Sequence, residues 1–217
     1  NAIITNSGTI TSTTGDGIAS TGAKATITNS GTITAADDGI YSDAANATIT
    51  NSGIIDVDDE GINSDDANAT ITNSGTITAA DDGIDSEGAN AIINNSGTIN
   101  ADDKGIYSDS DGYDATITNS GSITGGSEGI TSYGANATIT NSGSITAGDT
   151  GILSTGINTT INNSGHITGT NYAILGGISD SLTLNLLKGS QLMGAIDLNG
   201  AGDNDTVNIH GGSVSAT

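Results

Sequence analysis

Isoleucine recurs along this chain with a regularity that no other large apolar residue shares. Aligned stretches of the chain give three columns, Ile4 to Ile161, Ile10 to Ile167 and Ile18 to Ile174, with one isoleucine of each in every unit. Around the first two columns the chain reads Thr-Ile-Thr, as in Thr26-Ile27-Thr28 and Thr32-Ile33-Thr34, the period-two alternation of a strand with one face buried. A helical stripe is absent. Thr, Asn, Ser and Gly fill most other positions, and β-branched residues favour a pleated surface. The pattern predicts three short strands per unit and no helix.

The units span 2–24, 25–46, 47–68, 69–90, 91–114, 115–136, 137–158 and 159–180, and six of the eight are 22 residues long. The two longer ones are expected to carry their extra residues just after the third isoleucine, as 108–114 does, because insertions in a solenoid collect in loops on one face. Asn-Ser-Gly stands between the first two strands in all eight copies. Gly precedes the third isoleucine in seven, with Ala173 in the last. Such residues suit turns through unusual backbone angles. Three strands and three turns make one coil of an all-β, single-stranded, three-faced parallel β-helix (a β-solenoid) with about 22 residues per coil. At about 4.8 Å between neighbouring strands, eight coils make a rod about 40 Å long. Burying three isoleucines does not offset the conformational entropy of ordering a coil, so each coil depends on its neighbours. The column from Asn6 to Asn163 is expected to be an inward or corner ladder of amides bonded from coil to coil.

After 180 the pattern changes. In 181–217 leucine replaces isoleucine, the Asn-Ser-Gly turns stop, and the alternating runs lengthen, as in Leu182-Thr183-Leu184-Asn185-Leu186 and Ala195-Ile196-Asp197-Leu198. This segment reads as further, more hydrophobic coils of the same solenoid, about ten in all. Residues 200–205 partly resemble a calcium-binding nonapeptide but occur once, with the wrong spacing, and read as a polar turn.

Composition narrows the function. Cysteine is absent, which excludes a disulfide scaffold and thiolate metal sites. Lys24, Lys104 and Lys188 are the only cations other than histidine, and the net charge is −22, which argues against binding nucleic acid or adsorbing to an anionic membrane. There is no long apolar run to enter a membrane and no signal peptide; the chain starts inside a repeat without Met and reads as a piece of a longer protein. Catalysis is not expected: there is no Arg, Trp or Phe, His166 and His210 stand alone, and no Gly-x-Ser-x-Gly elbow occurs.

Of the 25 acidic residues, 17 lie between Asp37 and Asp111, in columns. Asp37, Asp59, Asp81 and Asp103 form one, Asp38, Glu60 and Asp82 another beside it, and Asp43, Asp65, Glu87 and Asp109 a third after the last strand of the coil. Like charges at that spacing repel by about 0.9 kcal/mol per pair in water. Solvent screening of a splayed, soluble face would relieve this. So would Ca2+, with Asp37, Asp38, Asp59, Glu60, Asp81, Asp82 and Asp103 as the candidate ligands, since that ion accepts many oxygens at flexible geometry. No other cofactor is expected.

Tandem Asn-Ser-Gly-Thr-Ile repeats with Asp-Gly-Ile turns, followed by a segment of the form LTLNL…GAIDL…NDTVNI, resemble the passenger region of bacterial autotransporters, the type V secretion proteins. The likeness spans essentially the whole chain. It implies a right-handed β-helix exported through a C-terminal outer-membrane β-barrel, hence a bacterial cell-surface or secreted location.

Three non-catalytic readings follow. The first is an adhesin that associates with itself on neighbouring cells, or with another surface ligand, through polar ladders on a stiff rod. The candidate face carries Thr26, Thr28, Thr48, Thr50, Thr70, Thr72, Thr116, Thr118, Thr138 and Thr140. The second is ice binding by the same Thr-x-Thr columns, which break at Ile92, Asn94 and Asn162. The third is a passive stalk. Binding hot spots are rich in Trp, Tyr and Arg, so a discrete contact is expected near Tyr41, Tyr107 and Tyr113, beside the enlarged loop and the acidic columns.

Overall fold

A computed structural model of the chain describes residues 1–109, 114–177, 181–198, 204–211 and, for the backbone alone, 213–215. All regular structure in them is β. The chain winds through about nine turns, and the tenth strand of the first sheet, Thr206–Ile209, belongs to a further, incomplete one. Every strand pairing is parallel, and within the repeats the strands fall in the register that the sequence dictates: Ile4 on Ile27, Ile27 on Ile49, Ile33 on Ile55, Ile40 on Ile62. The sheets run through the change in sequence beyond 180, with Leu184 stacked on Ile161 and Leu192 on Ile167.

Three strand columns exist, but only the first is a sheet by itself, of ten strands. The second and third columns join into one sheet, because strand His166–Gly176 runs through both without a turn and pairs with strands of each column.

The isoleucines of the three columns point inward, and from Ile27 to Ile174 those side chains are inaccessible to solvent. Small residues close the corners. Ala25, Ala47, Ala69, Ala91, Ala115 and Ala137 are buried just before the first strand, and Ala35, Ala79, Ala101 and Ala147 at the end of the second. The Asn column is the expected ladder, and it faces inward. Each Nδ2 donates to the Oδ1 of the next coil at 2.8 Å, from Asn6 through Asn29, Asn51, Asn73, Asn95, Asn119 and Asn141 to Asn163, which donates to Ser190 Oγ at 2.7 Å. Beyond that point Leu186 takes the Asn position and the amide ladder moves outward, with Asn208 donating to Asn185 and Asn185 to Asn162.

Two expectations about turns need correction. The repeated glycines do not serve unusual angles; positive φ occurs among described glycines only at Gly189, Gly194 and Gly211. They are required because the coils touch there: a Cβ on Gly61 would lie 2.5 Å from Gly83 O, and one on Gly53 would collide with Gly31 O. Ala173 is tolerated where the register to the following strand shifts. The left-handed positions belong instead to a second Asn column, Asn46, Asn68, Asn90, Asn136 and Asn158, with Lys24 in the first unit; each introduces a corner alanine or, after Asn158, Thr159. Asn tolerates that conformation better than most residues. The extra residue of the first unit also lies elsewhere than expected. Thr11 pairs with Thr34 and Ile18 with Ile40, so it sits before the third isoleucine, in the turn of Ser12 to Gly17.

Candidate functional site

The ten threonines expected to form a contact face all lie outward on the first sheet. Thr26, Thr48 and Thr70 are in register, as are Thr28, Thr50 and Thr72, Thr116 and Thr138, and Thr118 and Thr140. Ile92, 43% exposed, and Asn94 stand between the two groups. Reading the outward positions strand by strand, from Ile3 and Thr5 to Thr206 and Asn208, gives only Thr, Ile and Asn. No charge stands on this sheet, although the chain carries −22. Most of the acidic residues lie in the turn between the second and third strands and in the loop after the third, with Asp56, Asp85 and Glu128 on second and third strands themselves.

In that turn the in-register stacking of the strands brings carboxylates of successive coils together. Carboxylate oxygens of Asp37, Asp38 and Asp59 lie within 4.8 Å of one another, as do those of Asp59, Glu60 and Asp81, and of Asp81, Asp82 and Asp103. All seven proposed ligands are therefore neighbours. They are not equivalent. Asp37 is exposed, Asp59, Glu60, Asp81 and Asp103 are half-buried, and Asp38 and Asp82 are buried. Asp16 heads the inner column, and burial followed by repulsion from Asp37 raises its pKa.

Lys104 interrupts that column, with Glu128 at the same position in the next coil. It occupies the position held by Asp38, Glu60 and Asp82 in the coils before it. Its Nζ lies 2.6 Å from Asp103 Oδ2 and 3.5 Å from Asp82 Oδ1, and its backbone N–H donates to the same Asp82 oxygen at 2.8 Å. Burial works against the Lys104 charge, yet the Asp103 hydrogen bond and the Asp82 charge together push its pKa up. The third cluster thus holds its own counter-ion. The first two do not: burial chiefly, then the neighbouring carboxylates, lifts Asp59 to about 6 and Glu60 to about 7. Asp38 Oδ1 is buried without a hydrogen-bond partner.

Beside this turn the third strands carry Tyr41, Asn63, Asp85 and Tyr107 in register. Tyr41 donates to Asp65 and Tyr107 to Asp109. Tyr107 also meets Tyr133 edge to face, and Lys104 lies over its ring at 5.2 Å. Asp85 is buried among them, its Oδ1 unpartnered; burial first, then repulsion from Asp82, Glu87, Glu60 and Asp65, pushes it up to about 8. Tyr113, and the 110–113 stretch around which a discrete contact was expected, lie outside the described residues, as do 200–203 of the suggested polar turn.

Lys104 and Asp85 were the residues that pattern reading missed. The signal for Lys104 was present: it stands one repeat length after Asp82. His166, as expected, is an exposed substitution at a Thr position, and no histidine approaches the acidic clusters among the described residues. Compared with protein-family models, curated proteins and solved structures, the chain matches none.

Proposed function

We propose that this chain is a non-catalytic, surface-exposed or secreted rod of the autotransporter-passenger kind that associates side by side with a second copy of itself through its first sheet. One observation carries the reading: across ten strands that sheet presents no charge, on a molecule of −22. Two such rods repel in almost every approach. Meeting sheet to sheet keeps the acidic turns out of the contact and sets two ladders of hydroxyls and amides against each other, where many weak hydrogen bonds add up. Partly exposed Ile54 and Tyr133 lie elsewhere on the coil, whereas Ile92 places an apolar side chain in the middle of the threonine columns.

Sedimentation of the full chain over a range of concentration and salt tests this. Association should strengthen as salt rises, since screening acts on the net repulsion over about 10 Å at 0.1 M. Thr50→Glu with Thr72→Glu should abolish it, while Thr78→Glu on the second sheet should not. A monomer at every concentration and ionic strength, or association indifferent to the face, refutes the proposal. Thermal hysteresis from a chain that stays monomeric would assign the threonines to ice, and a monomer with neither property would be a spacer.

A further inference from the structure

We propose that the acidic turn around Asp37, Asp38, Asp59 and Glu60 binds a divalent cation of calcium's size, which takes the place in the column that Lys104 fills for Asp82 and Asp103. This is independent of what the threonine face does.

Acidic clusters alone are common on surfaces, and three further features single this one out. Asp38 is only 6% exposed, and its Oδ1 has neither a donor nor access to water, although its carboxylate lies in a cluster with Asp37 and Asp59. An anionic oxygen in that state is costly unless a cation reaches it. Second, the same turn one and two coils further on contains its own cation. Lys104 Nζ there touches carboxylates of two successive coils, Asp82 and Asp103. The repeat geometry is therefore one in which a positive charge sits between coils, and the earlier coils carry Asp38 and Glu60 where Lys104 stands. No lysine reaches them among the described residues, the ion pairs there being confined to Lys104. Third, carboxylates of two successive coils are gathered in one place: oxygens of Asp37, Asp38 and Asp59 lie within 4.8 Å of one another. Such an all-carboxylate set suits Ca2+, which takes six to eight oxygens at about 2.3–2.6 Å in flexible geometry, better than Mg2+, which demands a near-ideal octahedron at about 2.0–2.1 Å and keeps its waters. Glu60 is hydrogen-bonded to Asp38 and supplies a further oxygen once a bound cation displaces the proton of that bond, and water completes the shell.

Titration calorimetry of the chelator-treated full chain at neutral pH, paired with thermal melts in Ca2+, Mg2+ and NaCl of matched ionic strength, tests this. Saturable Ca2+ binding at or below about 1 mM is expected, the range of extracellular calcium modules. Ca2+ should raise the Tm above that in EDTA and outcompete Mg2+. Asp38→Asn should weaken binding about tenfold or more. Glu60→Lys, which copies Lys104 into the preceding column, should abolish binding and raise the Tm in EDTA, so a stable fold accompanies the loss. Heat that does not saturate, a Tm rise that NaCl reproduces, or affinity unchanged in both variants would overturn the site and leave diffuse screening.

Discussion

Two inward-facing polar columns run through the repeats, to Asn163 and to Ser154, and their residues differ in kind. Asn73 donates to Asn95 Oδ1 and to two backbone carbonyls and accepts from Asn51, so its amide is satisfied on both sides. Ser42, Ser64, Ser86, Ser108 and Ser132 are equally buried, yet their hydroxyls have no partner. Ser154 escapes this only because Thr159, where other units have Ala, accepts its hydrogen bond at 3.0 Å. Removing one partner from a made bond strands two buried groups, whereas removing an unpartnered hydroxyl strands none. Asn73→Ala is therefore expected to cost about 2–4 kcal/mol, through the orphaned Asn51 Nδ2 and Asn95 Oδ1 and the space left behind. Ser64→Ala should be neutral or stabilise by up to about 1 kcal/mol. Denaturant unfolding of the two variants checks the contrast, and equal losses would mean that the serine hydroxyls have partners. The Asn ladder was legible in the sequence because an amide in every coil has one self-consistent use. The serine column was not, since serine also belongs on exposed strands and only the register turns this one inward.

The acidic turn is the element whose behaviour depends most on pH. Burial, joined by neighbouring carboxylates, raises Asp85 to about 8 and Glu60 to about 7, and raises Asp59 and Asp82 to about 6 although the Lys104 backbone N–H and charge pull Asp82 down. In the unfolded chain such groups titrate near 4. Between those values the native state holds protons that the unfolded state has released, so this stability is fully present below about pH 4 and is lost as pH rises through 6 to 8. Groups facing Asp85 are Asn63 and Tyr107 in register, with Asp82, Glu87, Glu60 and Asp65 around it and Lys104 over the Tyr107 ring. The Tm in EDTA should therefore fall from about pH 5 to about pH 8, and Asp85→Asn, which keeps the neutral form, should raise it at pH 8 and flatten the curve. A wild-type Tm that climbs over that interval would contradict the assignment. Charge columns could be read directly from the repeat, but burial could not. Asp85 and Glu87 stand two residues apart, on the same side of the alternation, so the sequence does not distinguish them; only Asp85 lies within the strand, flanked in register by Asn63 and Tyr107. The glycines mislead for a related reason. Gly61 and a turn glycine look alike until the carbonyl of the next coil is placed against the missing Cβ.

At the scale of the rod, each coil contacts only its neighbours, and the 22-residue units from 25 to 90 are interchangeable in register. Strand Thr48–Asn51 pairs with Thr70–Asn73, which pairs with Ile92–Asn95, residue for residue. Stability in such an array is a sum of repeats and interfaces, so a whole coil can be removed where a point insertion cannot. Excising 69–90 joins Asn68, in the left-handed conformation, to Ala91, the corner residue that follows Asn90 in the native chain. The Asn ladder then passes from Asn51 to Asn95 unbroken, and the isoleucine columns close at the same spacing. The deletion also removes Asp81, Asp82, Asp85 and Glu87 and stacks Lys104 directly on Glu60, giving that carboxylate the counter-ion that Asp82 has now. The shortened chain should fold with the same circular dichroism per residue and lose little or nothing in Tm at pH 8, despite a smaller core. Excising 69–79 instead leaves half a coil and should prevent cooperative unfolding altogether. If the full-coil deletion melts as poorly as the half-coil one, the stacking is not modular and the local register does not govern the fold.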